Sequence, residues 1–161
     1  MLPAHHLGGK DVARETYDKA LAALLAEYSP DLLVLAGFMR ILSPGFVAGF
    51  EGRLLNIHPS LLPKYPGLDT HRRVLEASER WHGATVHFVT VDLDAGPAVI
   101  QYRLPVRPGD TVDSLAARVH VGEHLILPRA VEWFVDGRLR LENGSVMLDA
   151  IRLSQPVIME E

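Results

Sequence analysis

Cysteine is absent from this 161-residue sequence. That absence excludes disulfide bonds and thiolate chemistry, and it agrees with a reducing compartment. Long apolar runs are also missing: the longest, "LLVLAGFM", is far shorter than the roughly 20 residues of a membrane-spanning helix. The opening "MLPAHHLGGK" lacks the charged-then-apolar pattern of a signal peptide. We therefore expect a cytoplasmic protein with no membrane partner.

Excess positive charge is the third absence. The formal net charge is −4 at pH 7, so the composition gives no reason to expect a nucleic acid as partner. The chain also contains no repeat, no low-complexity tract and no linker. A length of 161 residues suits one domain, which we place over residues 1–161.

Helical and strand-like patterns alternate in the first half of the chain. Apolar residues at helical spacing predict a helix over 12–28, and "SPD" ends it. The continuous apolar run 32–38 predicts a strand buried on both faces, as in a parallel sheet. A short helix or turn at 41–52 and a strand at 53–58 follow, and residues 70–80 have a helical pattern.

Strands pair in the second half. Two strands are predicted at 83–91 and 98–106, joined by the turn "DLDAGP". A long helix then starts from an N-cap at Asp110 or Thr111, and Pro128 is expected to kink or split it. Two weak strands and a ragged tail complete the chain. The pattern predicts an α/β fold with a mixed sheet flanked by helices.

The strand "RLLNIH" places two polar side chains on one face just where it ends. Side chains alternate along a strand, so Asn56 and His58 point the same way while Leu55 and Ile57 point the other. Ligands of open α/β sheets bind at the carboxyl ends of strands. An amide can donate to a developing oxyanion and an imidazole can move a proton near neutral pH, which suits acyl transfer. The alternative is that Asn56 caps the following turn and His58 is simply hydrogen-bonded.

A second strand end lies in "VTVDLDAGP", where Asp94 precedes a Gly-Pro turn. A carboxylate within roughly 4–6 Å of an imidazole favours the charged imidazolium. Asp94 can supply such a charge to His58 if the two strand ends meet. The alternative is an aspartate that only forms the turn.

Four stretches resemble one known family: "LAGFMRILSP", "LLNIHPSLLPKYPGLDTHRRVLE", "HGATVHFVTVDLDAGPAVIQ" and "EHLILPRAVEWFVDGRL". They are similar to consecutive blocks of the phosphoribosylglycinamide formyltransferases, from about Arg14 to Leu141. The wider group includes methionyl-tRNA formyltransferases and formyltetrahydrofolate deformylases, and "KYPGLDTHRRVLE" is the narrower signal. The resemblance implies a formyltransferase-type, Rossmann-like fold. It also implies an enzyme of purine biosynthesis that transfers formyl from 10-formyltetrahydrofolate to glycinamide ribonucleotide, without a metal.

The resemblance also implies site residues. The catalytic trio would be Asn56, His58 and Asp94. The folate site would contain Arg14, Met39, Arg40, Ile41, Leu42 and Asn56, together with Thr90, Val91, Asp92, Leu93 and Asp94. The ribonucleotide's sugar would be held by His120, Val121, Gly122 and Glu123.

For several of these residues the alternative is a purely structural role. Arg14 can pair with Asp18 on a solvated helix face, since the two are four residues apart. "FMRIL" otherwise suits a core segment with one exposed cation. His87, in mid-strand, is expected to be a hydrogen-bonded core histidine.

"HVGEH" at 120–124 satisfies His-x-x-Glu-His, the inverted zinc-protease motif. On a helix His120 and His124 would share a face, with Glu123 as general base. Gly122 weakens a helix there by up to ~1 kcal/mol, and no third ligand is evident downstream. We therefore expect no metal site and reject the zinc hydrolase.

The resemblance leaves one part of the family unmatched. Family members begin with a βαβ unit whose loop binds the substrate phosphate at a helix N-terminus, and nothing before Arg14 matches it. We therefore expect ribonucleotide binding to be weaker than folate binding and activity to be impaired, so a non-catalytic folate-binding remnant is an alternative. We also expect an uncovered strand edge at "LLVLAGF" that allows self-association.

Overall fold

The computed structural model describes residues 3–161, and these residues form four helices and eight strands. The helices are α1 (Arg14–Ala26), α2 (Pro44–Gly49), α3 (Thr70–Glu76) and α4 (Val112–Val135). The strands are β1 (Leu33–Leu35), β2 (Leu54–His58), β3 (Trp81–Phe88), β4 (Ala98–Pro105), β5 (Leu139–Glu142), β6 (Ser145–Leu148), β7 (Ile151–Arg152) and β8 (Val157–Glu160). Each of the helices and strands predicted before residue 136 is present.

A five-stranded mixed sheet in the order β1-β2-β3-β4-β8 organises the molecule. The β1–β2 and β4–β8 pairs are parallel, whereas β2–β3 and β3–β4 are antiparallel. β5, β6 and β7 form a separate three-stranded antiparallel sheet. The predicted α/β class with a mixed sheet is confirmed.

The two faces of the sheet carry two apolar clusters. On one face Leu55 and Ile57 of β2 pack with residues of β3, β4 and α4 in the larger cluster. Leu54 belongs to the second cluster, which α2 and part of α1 complete. Since side chains alternate, Asn56 lies on the Leu54 face, as the sequence pattern predicted.

The α4 helix begins at the predicted N-cap. The Thr111 hydroxyl accepts a hydrogen bond from the Ser114 backbone N–H, and the Ser114 hydroxyl accepts one from the Thr111 N–H, a capping box. Pro128 lies inside α4 but does not split it, contrary to one of the two expected outcomes. The helix packs along β3 and β4, and this packing maintains helical structure on both sides of the proline.

Two sequence expectations are wrong in detail. β1 is not buried on both faces: Val34, which lies on the Leu55 face, is 40% exposed, since the α4 helix on that face packs against β3 and β4. The tail is not ragged either, since β8 adds to the sheet beside β4. No helix among residues 3–161 has the length and apolar character needed to cross a bilayer.

Candidate active site

Three elements bring the predicted trio together at one end of the sheet. Asn56 and His58 end β2, and β3 runs antiparallel beside it with His87 directly opposite Asn56. The turn after β3 supplies Asp94, whose backbone has a positive φ of 51°. A non-glycine residue in this left-handed region is uncommon and is held by its surroundings. The surroundings here are the contacts of its carboxylate.

His58 and Asp94 form a buried pair. The Nδ1 atom of His58 lies 3.4 Å from Oδ2 of Asp94, and their side chains are only 8% and 7% exposed. The same Oδ2 accepts a hydrogen bond from the backbone N–H of Gly67 at 2.8 Å. The other ring nitrogen of His58, Nε2, lies 2.9 Å from the carbonyl oxygen of Tyr65. Both ring nitrogens of His58 therefore face an oxygen atom, one of a carboxylate and one of a backbone carbonyl.

His87 orients the Asn56 amide. Its Nδ1 lies 2.9 Å from the Phe88 carbonyl oxygen, which can only accept, so Nδ1 carries the proton. Its Nε2 therefore accepts a hydrogen bond from the Asn56 amide nitrogen at 3.1 Å. Burial lowers the pKa of His87, which favours this neutral form. The second amide N–H of Asn56 stays available for another acceptor.

His87 is the site residue that sequence reasoning missed. It is buried and hydrogen-bonded, as expected of a core histidine, but its Nε2 also lies 3.8 Å from Oδ1 of Asp94. It thus contacts the trio instead of lying elsewhere in the core. The sequence signal that could have found His87 is the alternation of side chains along β3, which places His87 on the same face as Thr85. This signal is informative only once β3 is aligned with β2, because His87 then lies opposite Asn56.

A cavity of about 70 Å³ opens beside Asn56 and Asp94. Nine of the eleven predicted folate-site residues line it: Arg40, Ile41, Leu42, Asn56, Thr90, Val91, Asp92, Leu93 and Asp94. Leu35, Phe38, Val47, His87 and Val89 complete the lining. His58 is not in the lining, but it contacts the lining residue Asp94. Met39 is also outside it, with 79% of the residue exposed.

Arg14 lies at a wider depression of about 490 Å³, lined also by Glu15, Arg40 and Ile41. The cavity and the depression share Arg40 and Ile41, so they adjoin. The Arg40 guanidinium donates to the carbonyl oxygens of Gly9 and Val12. Because Arg40 is engaged in these contacts, Arg14 is the more available cation at this surface.

The alternative pairing of Arg14 with Asp18 is wrong. Arg14 pairs with Glu15 at 3.3 Å, and Asp18 is buried, where it accepts a hydrogen bond from the Ser43 backbone N–H at 2.5 Å. Asp18 therefore ties α1 to the start of α2, and the Arg14 side chain projects into partly solvated space.

The predicted sugar-binding segment lies on α4. The Nδ1–H of His120 donates a hydrogen bond to Oε2 of Glu123 at 2.9 Å, and its Nε2 lies 3.0 Å from Nε2 of His124. Gly122 is different, because it is buried against the ring of Tyr102, where an added Cβ would lie 1.9 Å from Cδ1. Close helix–sheet packing thus explains why this residue is glycine, and its predicted backbone contact with the ribonucleotide stays a prediction.

No hydrogen bond or ion pair within residues 3–161 joins this α4 segment to the trio. His71 of α3 is near both: burial lowers the pKa of His71, the negative charge of Glu123 opposes this shift, and the positive charge of His58 adds to it. His71 Nδ1 is hydrogen-bonded to Nε2 of the buried His82 at 2.9 Å. Across the described residues, no group of three or more His, Cys, Asp or Glu side chains is arranged to hold a metal ion.

The sequence and fold agree with a known family. A family model described as formyl transferase matches residues 4–131, most of the chain, and the chain belongs to that family. Over 141 residues it is 55% identical to phosphoribosylglycinamide formyltransferase of Escherichia coli (strain K12), covering 88% of this chain and 66% of that protein. The resemblance drawn from the sequence motifs is confirmed.

Solved structures give the same result. Phosphoribosylglycinamide formyltransferase from Coxiella burnetii superposes with a TM-score of 0.88 at 48% identity, covering 91% of this chain and 70% of that chain. A formyltetrahydrofolate deformylase from Pseudomonas syringae pv. tomato superposes with a TM-score of 0.85 at 25% identity, and the matched region is 49% of the deformylase chain. The present chain spans 66% and 62% of the lengths of the E. coli and Haemophilus influenzae relatives.

Proposed function

We propose that this protein transfers a formyl group from 10-formyltetrahydrofolate to the amine of glycinamide ribonucleotide, a step of purine biosynthesis. The observation that carries the proposal is the meeting of Asn56, His58 and Asp94 beside a cavity with a largely apolar lining. Membership of the formyl transferase family and 55% identity to the E. coli relative support it. The catalytic roles below are inferred from the contacts of each side chain.

The reaction begins when the substrate amine attacks the formyl carbon, giving a tetrahedral intermediate with a negative oxygen. Asn56 donates its free amide N–H to that oxygen, since its other N–H is held by His87. His58 donates through Nε2 when the substrate oxygen replaces the Tyr65 carbonyl. Such hydrogen bonds often tighten only when substrate binds.

Proton movement completes the transfer. The attacking amine loses a proton, N10 of the folate gains one, and His58 or a bound water carries it between them. Asp94 lies 3.4 Å from Nδ1 of His58 and stabilises the imidazolium during this exchange. The chemistry requires no metal because the formyl group is already activated by its attachment to N10.

The two substrates bind to different groups of residues. The folate ring enters the cavity on the Leu54 face, and its acidic tail meets Arg14 in the adjoining depression. A cavity of about 70 Å³ is small for a pterin, so Val91 and Leu93, both more than half exposed at its rim, move aside. His120, Val121, Gly122 and Glu123 of α4 contact the ribonucleotide's sugar, Gly122 through its backbone, since its Cα side packs against Tyr102.

A deformylase activity is the second candidate, because the chain superposes well on a formyltetrahydrofolate deformylase. The two functions differ in the acceptor: water in one, the ribonucleotide amine in the other. Formate release from 10-formyltetrahydrofolate without acceptor should be slow if the first proposal is right. Fast release that the ribonucleotide does not change would favour the deformylase.

A direct assay with purified protein tests the proposal. Formylated ribonucleotide and tetrahydrofolate should appear in equal amounts, and calorimetry should show tighter binding of the folate than of the ribonucleotide. Asn56→Ala should lower kcat about 10²–10³-fold while leaving folate affinity within a few-fold. Folate binding without any transfer, even at high ribonucleotide concentration, would instead indicate a non-catalytic folate-binding protein.

We also propose that the β1 edge supports self-association. In the described chain its outer backbone groups are unpaired with any strand, and Val34 beside them is 40% exposed. Sedimentation should show concentration-dependent association that Val34→Lys abolishes. Val135→Lys, at an exposed valine of α4, is the matched control and should leave association unchanged. A monomer at all concentrations would contradict the proposal.

A further inference from the structure

The loop of residues 64–69, between β2 and α3, contacts both members of the buried His58–Asp94 pair. The carbonyl oxygen of Tyr65 lies 2.9 Å from Nε2 of His58, and the N–H of Gly67 donates to Oδ2 of Asp94 at 2.8 Å. A backbone acceptor therefore faces the imidazole, and a backbone donor faces the carboxylate. The two backbone groups of the loop are thus matched to the two side chains of the pair.

The loop has an unfavourable backbone conformation. Tyr65 and Asp69 have positive φ values of 56° each, a region that residues with a Cβ rarely adopt. Conformations of this kind persist only where the surroundings hold them in place. The position of the Tyr65 carbonyl therefore depends on contacts made outside the active site.

Glu79 provides the strongest of these contacts. Its carboxylate accepts a hydrogen bond from the Tyr65 hydroxyl at 2.9 Å and two from the Lys64 ammonium at 2.8 and 3.0 Å. Hydrogen bonds from Lys64 and Tyr65 lower the pKa of Glu79, which therefore stays ionised. Burial and the bond to Glu79 raise the pKa of Tyr65, which therefore stays a donor. Arg73 adds hydrogen bonds to the carbonyl oxygens of Pro66 and Leu68.

We propose that Glu79 is a positioning residue for His58, acting through Tyr65. By anchoring the phenol it fixes the carbonyl that accepts from Nε2, and so keeps the imidazole turned with Nδ1 toward Asp94. The effect of Glu79 on catalysis rests on the proposed formyl transfer. The effect of Glu79 on the position of the His58 ring does not. Glu79 itself touches neither the cavity nor the reacting atoms.

The test uses nuclear magnetic resonance of the full chain with ¹⁵N-labelled histidine. The His58 signals are assigned by their loss in His58→Gln. Glu79→Ala and Tyr65→Phe should each speed solvent exchange of the His58 Nε2–H about 10-fold, the scale of losing one charge-assisted hydrogen bond. The double variant should exchange no faster than either single one, because both substitutions break the same contact.

Two control variants distinguish positioning of His58 by Glu79 from a general loss of local structure. Lys64→Met removes the ammonium but leaves the phenol–carboxylate bond, and Glu79→Gln keeps an acceptor, so both should resemble wild type. Tyr65→Phe alters shape least and serves if Glu79→Ala does not fold. Unchanged His58 exchange in folded Tyr65→Phe would overturn the proposal.

The resonance measurement needs no substrate, so it is independent of the proposed function. A wild-type chain without formyl transfer would refute that function and leave the Glu79 result standing. With transfer established, Glu79→Ala should change the pH profile of kcat while KM for the folate stays the same. An unaltered kcat profile would limit the role of Glu79 to the resting geometry and would contradict its catalytic consequence.

Discussion

Two clusters in this protein each combine two histidines with one acidic residue, in very different surroundings. The buried cluster contains His58, His87 and Asp94, and the helix cluster contains His120, Glu123 and His124. In the buried cluster the side chains come from three elements, and backbone groups of Tyr65, Gly67 and Phe88 bond to them. In the helix cluster the side chains come from one helix, and His120 is 68% exposed.

The comparison shows that a given set of side-chain types does not by itself form a reactive site. Both clusters contain the same types of group, 3.4 and 3.8 Å apart in the buried cluster and 2.9 and 3.0 Å apart in the helix cluster. In the buried cluster the side chains are less than one-tenth exposed, so charges interact more strongly and each ring nitrogen faces a defined partner. In the helix cluster solvent screens the charges and the side chains can rotate. Only the first arrangement can hold a proton at a defined atom.

The largest expected effect is catalytic. His58→Ala and Asp94→Ala should each lower kcat at least about 10²-fold, since each removes charge stabilisation at the reacting oxygen or proton. The comparable change in the helix cluster, His124→Ala, should leave kcat within a few-fold. Steady-state kinetics of formyl transfer measure this. Near wild-type turnover in His58→Ala would remove that residue from the mechanism and erase the contrast between the clusters.

Acid sensitivity should also separate a buried histidine from an exposed one. Burial lowers the pKa of His82 from 6.5 to about 4, with the positive charges of His71 and His58 adding to the effect. Below pH 6.5 the unfolded chain binds this proton and the folded chain does not, so stability falls as pH drops from about 6.5 to 4. The resulting loss in the free energy of unfolding reaches about 3 kcal/mol.

Denaturant unfolding at pH 7.5, 6 and 5 measures this dependence. His82→Gln should flatten the decline in unfolding free energy at low pH, whatever its effect at pH 7.5. His124→Gln is the matched control, and its pH dependence should follow wild type. An equally steep decline in His82→Gln would assign the acid sensitivity to other groups.

Substitution of Gly122 should destabilise the protein, although Gly122 lies on α4 between members of the solvated helix cluster. A Cβ there would lie 1.9 Å from the Tyr102 ring, and such overpacking typically costs about 1–3 kcal/mol. The gain of up to ~1 kcal/mol in helix propensity offsets only part of this. Gly122→Ala should therefore lower the melting temperature, measured by circular dichroism, whereas Val121→Ala at the exposed neighbour should not. A stabilised Gly122→Ala would contradict the close packing.

The smallest expected effect lies at the exposed His120–Glu123 pair. Exposed ion pairs contribute about 0–1 kcal/mol, so His120→Gln should change the unfolding free energy by less than about 0.5 kcal/mol. Its effect should instead appear in the KM of the ribonucleotide. A large loss of stability would show that the helix cluster is structurally coupled to the rest of α4.

Much of the fold was predictable because its signals are local. The N-cap at Thr111, the helix before "SPD" and the alternation that separates Asn56 from Leu55 depend on neighbours a few residues away. β8 was missed because its strand character depends on pairing with β4, far away in the sequence. The exposure of Val34 was missed for a related reason, since an apolar run does not show which element covers each face of its strand.

The sequence by itself determined which groups are available: an amide and an imidazole two residues apart at a strand end, and a carboxylate in a turn. It also determined the family, through motifs that are contiguous in the chain. The tertiary structure alone decided their partners. The β2–β3 register sets His87 beside Asn56, 31 residues away, and the 64–69 loop sets a carbonyl beside His58. Such contacts arise only when sheet pairing and loop closure are complete, because each depends on residues distant in sequence.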